Sequence, residues 1–162
     1  MAATPININK KLQLEDGTEK TDARAFKSLV GGLIYLSHTH HGIAFSAGMV
    51  SRFMQAPTRQ HLGAAKRILR YISGTRVYES WYSQVPNFRL VDFSDSDWAG
   101  LLDDRKSTSG YVFSLGSGAI ASSSKKQVVT ALSSSKAEYV AATSSAFQAI
   151  WHRRVLADMS QE

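Results

Sequence analysis

Between Leu90 and Glu138 the sequence runs through extended stretches broken by turn signals and then changes period, and this switch limits what the chain can fold into. Residues 89–93 read as a strand closed by Asp95, and residues 110–115 and 119–123 are two more β-rich runs, each bounded by Gly or Ser. From about Ser134 to Leu156 or beyond the pattern is that of one long helix, with Ala142, Ala146, Ala149 and Ile150 as a small-residue face suited to a sheet. A three-strand meander followed by a helix is expected to bring Asp95, at the end of the first strand, close to Glu138, in the first turn of the helix. Two converging carboxylates are half of a divalent-metal site. Asp97 lies beyond the expected end of the strand, where the chain should turn and leave it outside such a site. Ser135-x-x-Glu138 also has the spacing of a capping box, so the residues alone leave Glu138 with two readings.

The first half reads as helical. After an extended or disordered arm over residues 1–20, Thr21 and Asp22 are both N-cap candidates for a helix to about Leu36, with Phe26, Leu29, Val30 and Leu33 as its apolar stripe. Gly31 and Gly32 interrupt that helix at a cost of about 1 kcal/mol each relative to Ala, which predicts close packing against another helix as compensation. His38, His40 and His41 form a loop without a Cys or carboxylate nearby to complete a metal set. A second helix is expected over residues 43–54. Thr58 then caps a third to about Ser73, with Leu62, Ala65, Ile68, Leu69 and Ile72 inward and the cations Arg59, Lys66, Arg67 and Arg70 outward. Residues 75–88, with Trp81, Tyr82 and Pro86, form a connector, and residues 89–162 the strand-rich unit.

Composition narrows the function classes. Nineteen Lys and Arg against thirteen Asp and Glu give a net charge of +6, which suits a polyanionic partner. Absence of Cys removes disulfide and thiolate chemistry. The amino end has no apolar core of a signal peptide and no apolar run approaches a membrane span, so a soluble, intracellular and cytoplasmic protein is expected.

The motifs SDSDWAG, DDRKSTSGYVFSLG, SSKKQ and AEYVAATSSAFQAIW, in this order, resemble the RNase H domain of copia-type retrotransposon Pol polyproteins. Upstream, SLVGGLIYLSHT, VSRFM, APTRQHLGAAKRILRYISGT and WY resemble the segment that joins reverse transcriptase to RNase H in the same polyproteins. The resemblance implies an α+β fold: a helical connection segment over residues 21–74, then an incomplete RNase H-like unit of three antiparallel strands and one long helix. It implies Asp95 and Glu138 as catalytic carboxylates and ligands of Mg2+, in an endonuclease that cuts the RNA strand of an RNA–DNA hybrid. It further implies that two more carboxylates lie downstream, in the missing remainder of the Pol polyprotein, so that the chain alone binds Mg2+ weakly and is inactive. Arg59, Lys66, Arg67, Arg70, Arg105 and Lys106 are the expected nucleic-acid contacts.

The sequence departs from the family at His40, His41 and Gly42, where Arg-Pro-Asp is usual, and at Lys136, where Glu is usual. The first departure predicts a loosened helix start before Ile43; the second sets a cation against the helix dipole. Two other classes of function remain in competition. One is a non-catalytic nucleic-acid-binding module co-opted by a host. The other is a secreted RxLR-type effector, suggested by Arg67-Ile68-Leu69-Arg70.

Overall fold

A computed structural model describes the chain apart from residues 1, 8, 85–88, 101 and 160–162, so Pro86 of the expected connector lies outside the described residues. Among the described residues the arrangement is α+β: four α-helices and one three-stranded antiparallel sheet, divided between two compact units. One comprises Met1–Glu79 with Leu101–Arg105, the other Ser80–Gly100 with Lys106–Glu162.

In the first unit α1 (Ala23–Ser37) starts at Asp22 rather than Thr21. The Asp22 carboxylate accepts the Arg24 and Ala25 N–H groups at 2.8 and 3.2 Å, satisfying two of the amides that a helix start leaves over. Phe26, Val30 and Leu33 are buried, each burial contributing roughly 1.5–3 kcal/mol. Gly31 and Gly32 do not compensate by close packing: both are exposed, and a Cβ at either would meet nothing within 4 Å. A 3-10 turn over His41–Ile43 without a side-chain cap precedes α2 (Ala44–Ser51), which is shorter than its apolar pattern suggests. His40, His41 and Gly42 supply neither a first-turn Pro nor an acidic residue, so nothing in this turn presets φ or meets the helix dipole.

Thr58 caps α3 (Arg59–Gly74), which buries Ala65 and Ile68. Leu69, expected inside, is 43% exposed, because the arm and the other helices take the face centred on Ala65 and Ile68. The arm is neither loose nor detached. Ile6 and Leu12 belong to the buried cluster with Phe26, Val30, Ile43, Phe53 and Ile68. Lys20 bridges Thr58, with the Thr21 N–H donating to the Pro57 carbonyl and the Arg59 N–H to the Glu19 carbonyl, each at 2.9 Å.

The second unit is a meander, β1 (Leu90–Ser96), β2 (Thr108–Leu115) and β3 (Gly118–Lys126), in the order β1-β2-β3, followed by α4 (Ser134–Asp158). Gly116 supplies the positive φ (60°) that the two-residue hairpin loop requires. Ser109, Tyr111 and Phe113 face α4. Phe113, wholly buried, has its ring tilted 4.7 Å from that of His152 and edge-on 5.3 Å from that of Tyr111. The small-residue face of α4 lies one position from that expected: Ala137, Ala141 and Ser145 are buried, while Ala142 and Ala146 are exposed. Among the described residues no helix is long and apolar enough to cross a membrane.

Candidate functional site

The two carboxylates singled out by sequence both lie in the second unit. Asp95 sits one residue before the end of β1, paired with Gly110; it is exposed, and its Oδ1 accepts the Ser96 N–H at 2.8 Å. Glu138 is exposed near the start of α4. It is not a capping-box residue: the N-cap is Ser133, whose Oγ accepts the Lys136 N–H at 3.2 Å. Lys136 thus occupies the position where a capping box carries Glu or Gln.

Strand alternation decides how the pair is disposed. Asp92 pairs with Phe113 and Ser96 with Ser109, while the Asp92 carboxylate accepts a hydrogen bond from the buried Ser145 hydroxyl of α4. Asp92, Ser94 and Ser96 therefore turn toward α4, and Asp95 falls with Val91 and Phe93 on the far face. Phe93, 63% exposed, marks that face as uncovered. Both carboxylates belong to the same end of the unit, since Gln127 Nε2 joins the Ser109 hydroxyl to the Ala137 carbonyl there. Asp95 thus faces away from α4, the helix that carries Glu138. Two oxygen donors of this kind suit Mg2+ in chemistry, but no three His, Cys, Asp or Glu gather among the described residues. A pair of carboxylates is at most part of a magnesium site.

The motif around them has a structural account. Asp97 Oδ1 accepts the Thr108 N–H, and the Asp97 N–H donates to the Thr108 carbonyl at 3.1 Å. A Cβ at Gly100 would overlap the Asp97 carboxylate, so Asp97 and Gly100 are required together. Ala99 adopts φ 50°, its N–H donating to Ser107 Oγ at 3.1 Å, and the Trp98 indole N–H donates to the Ala131 carbonyl at 3.3 Å. This side-chain-stitched turn then leads to a second left-handed residue, Arg105, at φ 56°.

The expected nucleic-acid contacts divide between the units: Arg59, Lys66, Arg67, Arg70 and Arg105 in the first, Lys106 in the second. Arg59 is paired with Glu19 at 2.8 Å on the open surface. Arg67 is half-buried, its Nε–H donating to the Thr4 carbonyl and a terminal N–H to Thr4 Oγ1, both at 3.0 Å. Lys66 and Arg70 are exposed on α3.

Sequence reading missed His61. Its ring is wholly buried, stacked on Phe53 with 4.0 Å between centroids. The Thr58 N–H donates to Nδ1 at 3.0 Å, which leaves Nε2 to carry the proton that faces the Gln13 carbonyl at 3.0 Å. Thr58 Oγ1 donates to Asp16 Oδ2 at 2.5 Å. His61 completes a capping box in the place usually held by Glu or Gln; the signal was Thr58-x-x-His61 itself. Burial holds the imidazole below its ordinary pKa, against the opposing pull of Asp16, the Gln13 carbonyl and Asp103. Burial raises the Asp16 carboxyl, but hydrogen bonds from Thr58 and Thr18 and the neighbouring His61 outweigh it and leave the group below its ordinary value.

No family model matches the chain, and no solved structure matches it significantly. Curated relatives do. The chain is 44% identical over 147 residues to the retrovirus-related Pol polyprotein from transposon RE1 of Arabidopsis thaliana, covering 90% of the chain and 10% of that polyprotein. It is 40% identical over 135 residues to the corresponding polyprotein from transposon TNT 1-94 of Nicotiana tabacum, with 83% and 10% covered. It is also 39% identical over 127 residues to the secreted RxLR effector protein 161 of Plasmopara viticola, with 78% and 89% covered. The chain thus spans about a tenth of the length of the Pol relatives and most of the effector relative. Identity at this level over nearly the whole chain places it: the chain belongs to the copia-type retrovirus-related Pol polyprotein family of transposons.

Proposed function

We propose that the chain is the part of a copia-type Pol polyprotein that joins reverse transcriptase to RNase H and opens the RNase H domain, with no cutting activity of its own. The observation that carries this reading is the order of elements under the motifs: basic helices, then an antiparallel meander and a long helix, with Asp95 ending the first strand and Glu138 opening the helix. Asp95 and Glu138 are the lineage's first two carboxylates. Two carboxylates are too few to fix two ions, and magnesium is held only when further carboxylates of the polyprotein join them. The natural substrate is an RNA–DNA hybrid, held by cations of α3.

The test is a chimera. The chain alone should not cleave a hybrid in magnesium. Extension with the following region of an intact relative should create activity that Asp95→Asn and Glu138→Gln each abolish. Cutting by the unextended chain that Asp95→Asn removes would overturn the proposal, and so would an active chimera indifferent to both substitutions.

A second reading, a nucleic-acid-binding module without catalysis, is favoured by the cations that α3 and the arm gather. The effector reading fares worse. Of Arg67-Ile68-Leu69-Arg70, Ile68 is wholly buried in the core and Arg67 is tied to Thr4, so these four residues form part of a folded helix rather than an accessible peptide. The effector relative's name belongs to that protein.

A further inference from the structure

The arm and the outer side of α3 leave between them an open groove of about 430 Å³ within the first unit. Three cations line it, Lys10, Arg67 and Arg70, and no Asp or Glu does among the described residues. Its α3 wall is Gln60, Gly63, Ala64 and Arg67, the i, i+3, i+4, i+7 positions of one helix face, and Ile6 makes the facing wall apolar. Gly63 leaves the floor open, since a Cβ there would meet nothing within 4 Å. Arg67 is already oriented by its two bonds to Thr4, so it loses little freedom on meeting an anion and keeps N–H groups to donate. Cations of one sign around a concave, partly apolar wall concentrate their field within it.

We propose that this groove is a phosphate-binding site, taking the phosphate of a nucleic-acid strand or of a free nucleotide. Arg67 and Arg70 supply guanidinium donors, Lys10 a point charge from the arm, and Gln60 a neutral donor and acceptor. Three positive groups exceed what a single carboxylate requires and match a phosphate, or two successive phosphates along a strand. The volume lies in the range of ligand sites, roughly 300–1,000 Å³. The strand form of the site deepens the nucleic-acid reading above and rests on it; the nucleotide form does not.

The full chain is titrated by fluorescence anisotropy with a labelled single-stranded oligonucleotide, with ATP as competitor. Gly63→Leu fills the groove without altering charge or meeting a neighbouring atom at Cβ, and Leu is the better helix former. Gly63→Leu and Arg70→Gln should each weaken oligonucleotide binding about tenfold, the effect of one charge-assisted hydrogen bond or more. Arg70→Gln should also lower the slope of log affinity against log salt by about 0.7, the single-strand value for one phosphate contact. Lys66→Gln, which removes the same charge from α3 outside the groove, should change affinity less than Arg70→Gln. Competition by ATP that Gly63→Leu abolishes would assign a nucleotide site; binding of the oligonucleotide without competition would assign a strand site. An unaltered Gly63→Leu protein with native circular dichroism would overturn the proposal, as would equal losses from Lys66→Gln and Arg70→Gln or a wild-type chain that binds neither probe. The chimera's cleavage of a hybrid is a separate readout, so failure of the groove leaves that reading standing.

Discussion

His61 should make the first unit sensitive to acid, and the effect can be worked through. The imidazole is neutral in the fold, because Nδ1 accepts the Thr58 N–H and the ring is wholly buried. A proton added at Nδ1 would turn that acceptor into a donor facing a donor. The folded-state pKa of His61 lies below its ordinary value of 6.5. Above pH 6.5 the group is neutral in both folded and unfolded chains and costs nothing. As pH falls below 6.5 the unfolded chain gains a proton that the folded chain refuses, and stability is lost until pH passes the folded value. At pH 5 the loss can reach at most about 2 kcal/mol, the limit for a group that stays neutral. Asp16 adds a separate loss further into acid: its depressed pKa contributes stability above 3.8 that disappears as pH falls through the folded value. The three Trp residues all lie in the second unit, so Trp fluorescence is blind to this event. Hydrogen exchange of α3 amides in the wild type and in His61→Gln, at pH 7, 6 and 5 and corrected for intrinsic rates, is the assay. Gln offers the same capping acceptor without titrating, so the fall in protection between pH 7 and 5 should largely vanish. His61→Ala should instead destabilise the unit at every pH, by about 4 kcal/mol, from loss of the Phe53 stack and two orphaned backbone partners. An identical pH dependence in wild type and His61→Gln would refute the reasoning.

Two further outcomes follow from glycines. Gly31→Ala and Gly32→Ala should each stabilise the first unit by about 1 kcal/mol in urea titrations followed by circular dichroism, because the added methyl meets nothing and Ala is the better helix former. Gly100→Ala should destabilise the second unit by about 1–3 kcal/mol, read by Trp fluorescence in urea, since the new Cβ displaces an Asp97 carboxylate that holds the Thr108 N–H.

Elements whose signal is local were legible. The stripe Phe26, Val30, Leu33, the cap at Thr58 and the three strands follow from periodicity and turn residues close in sequence. Features set by long-range pairing were not. The arm reads as loose because its ties, Thr4 to Arg67 and Asp16 to Thr58, join residues dozens of positions apart. The phase of α4 was missed by one residue, since Ala137, Ala141, Ala142, Ala146 and Ala149 offer no contrast between faces; only Phe113 and Ser109 opposite them choose one. The face on which Asp95 lies was not legible for a third reason. Ending a strand at Asp95 fixes where the residue lies along the sheet, whereas the side it faces depends on register, and Ser145 on Asp92 sets that.

The meander carries a kinetic consequence. Each strand is bonded only to its neighbour in the chain, and the β2–β3 loop is two residues long. Loops this short cost little entropy to close, and hairpins of this kind form in about 1–10 μs. The sheet can therefore zip outward from Gly116 before α4 docks. During synthesis on a ribosome, β1 to β3 would emerge and pair first, and the Ser145 hydroxyl would meet Asp92 only after a further stretch of chain had been made. For that interval Phe113 and Tyr111 are bare, which makes the arrival of α4 the step at which a nascent chain either completes the unit or is lost to aggregation.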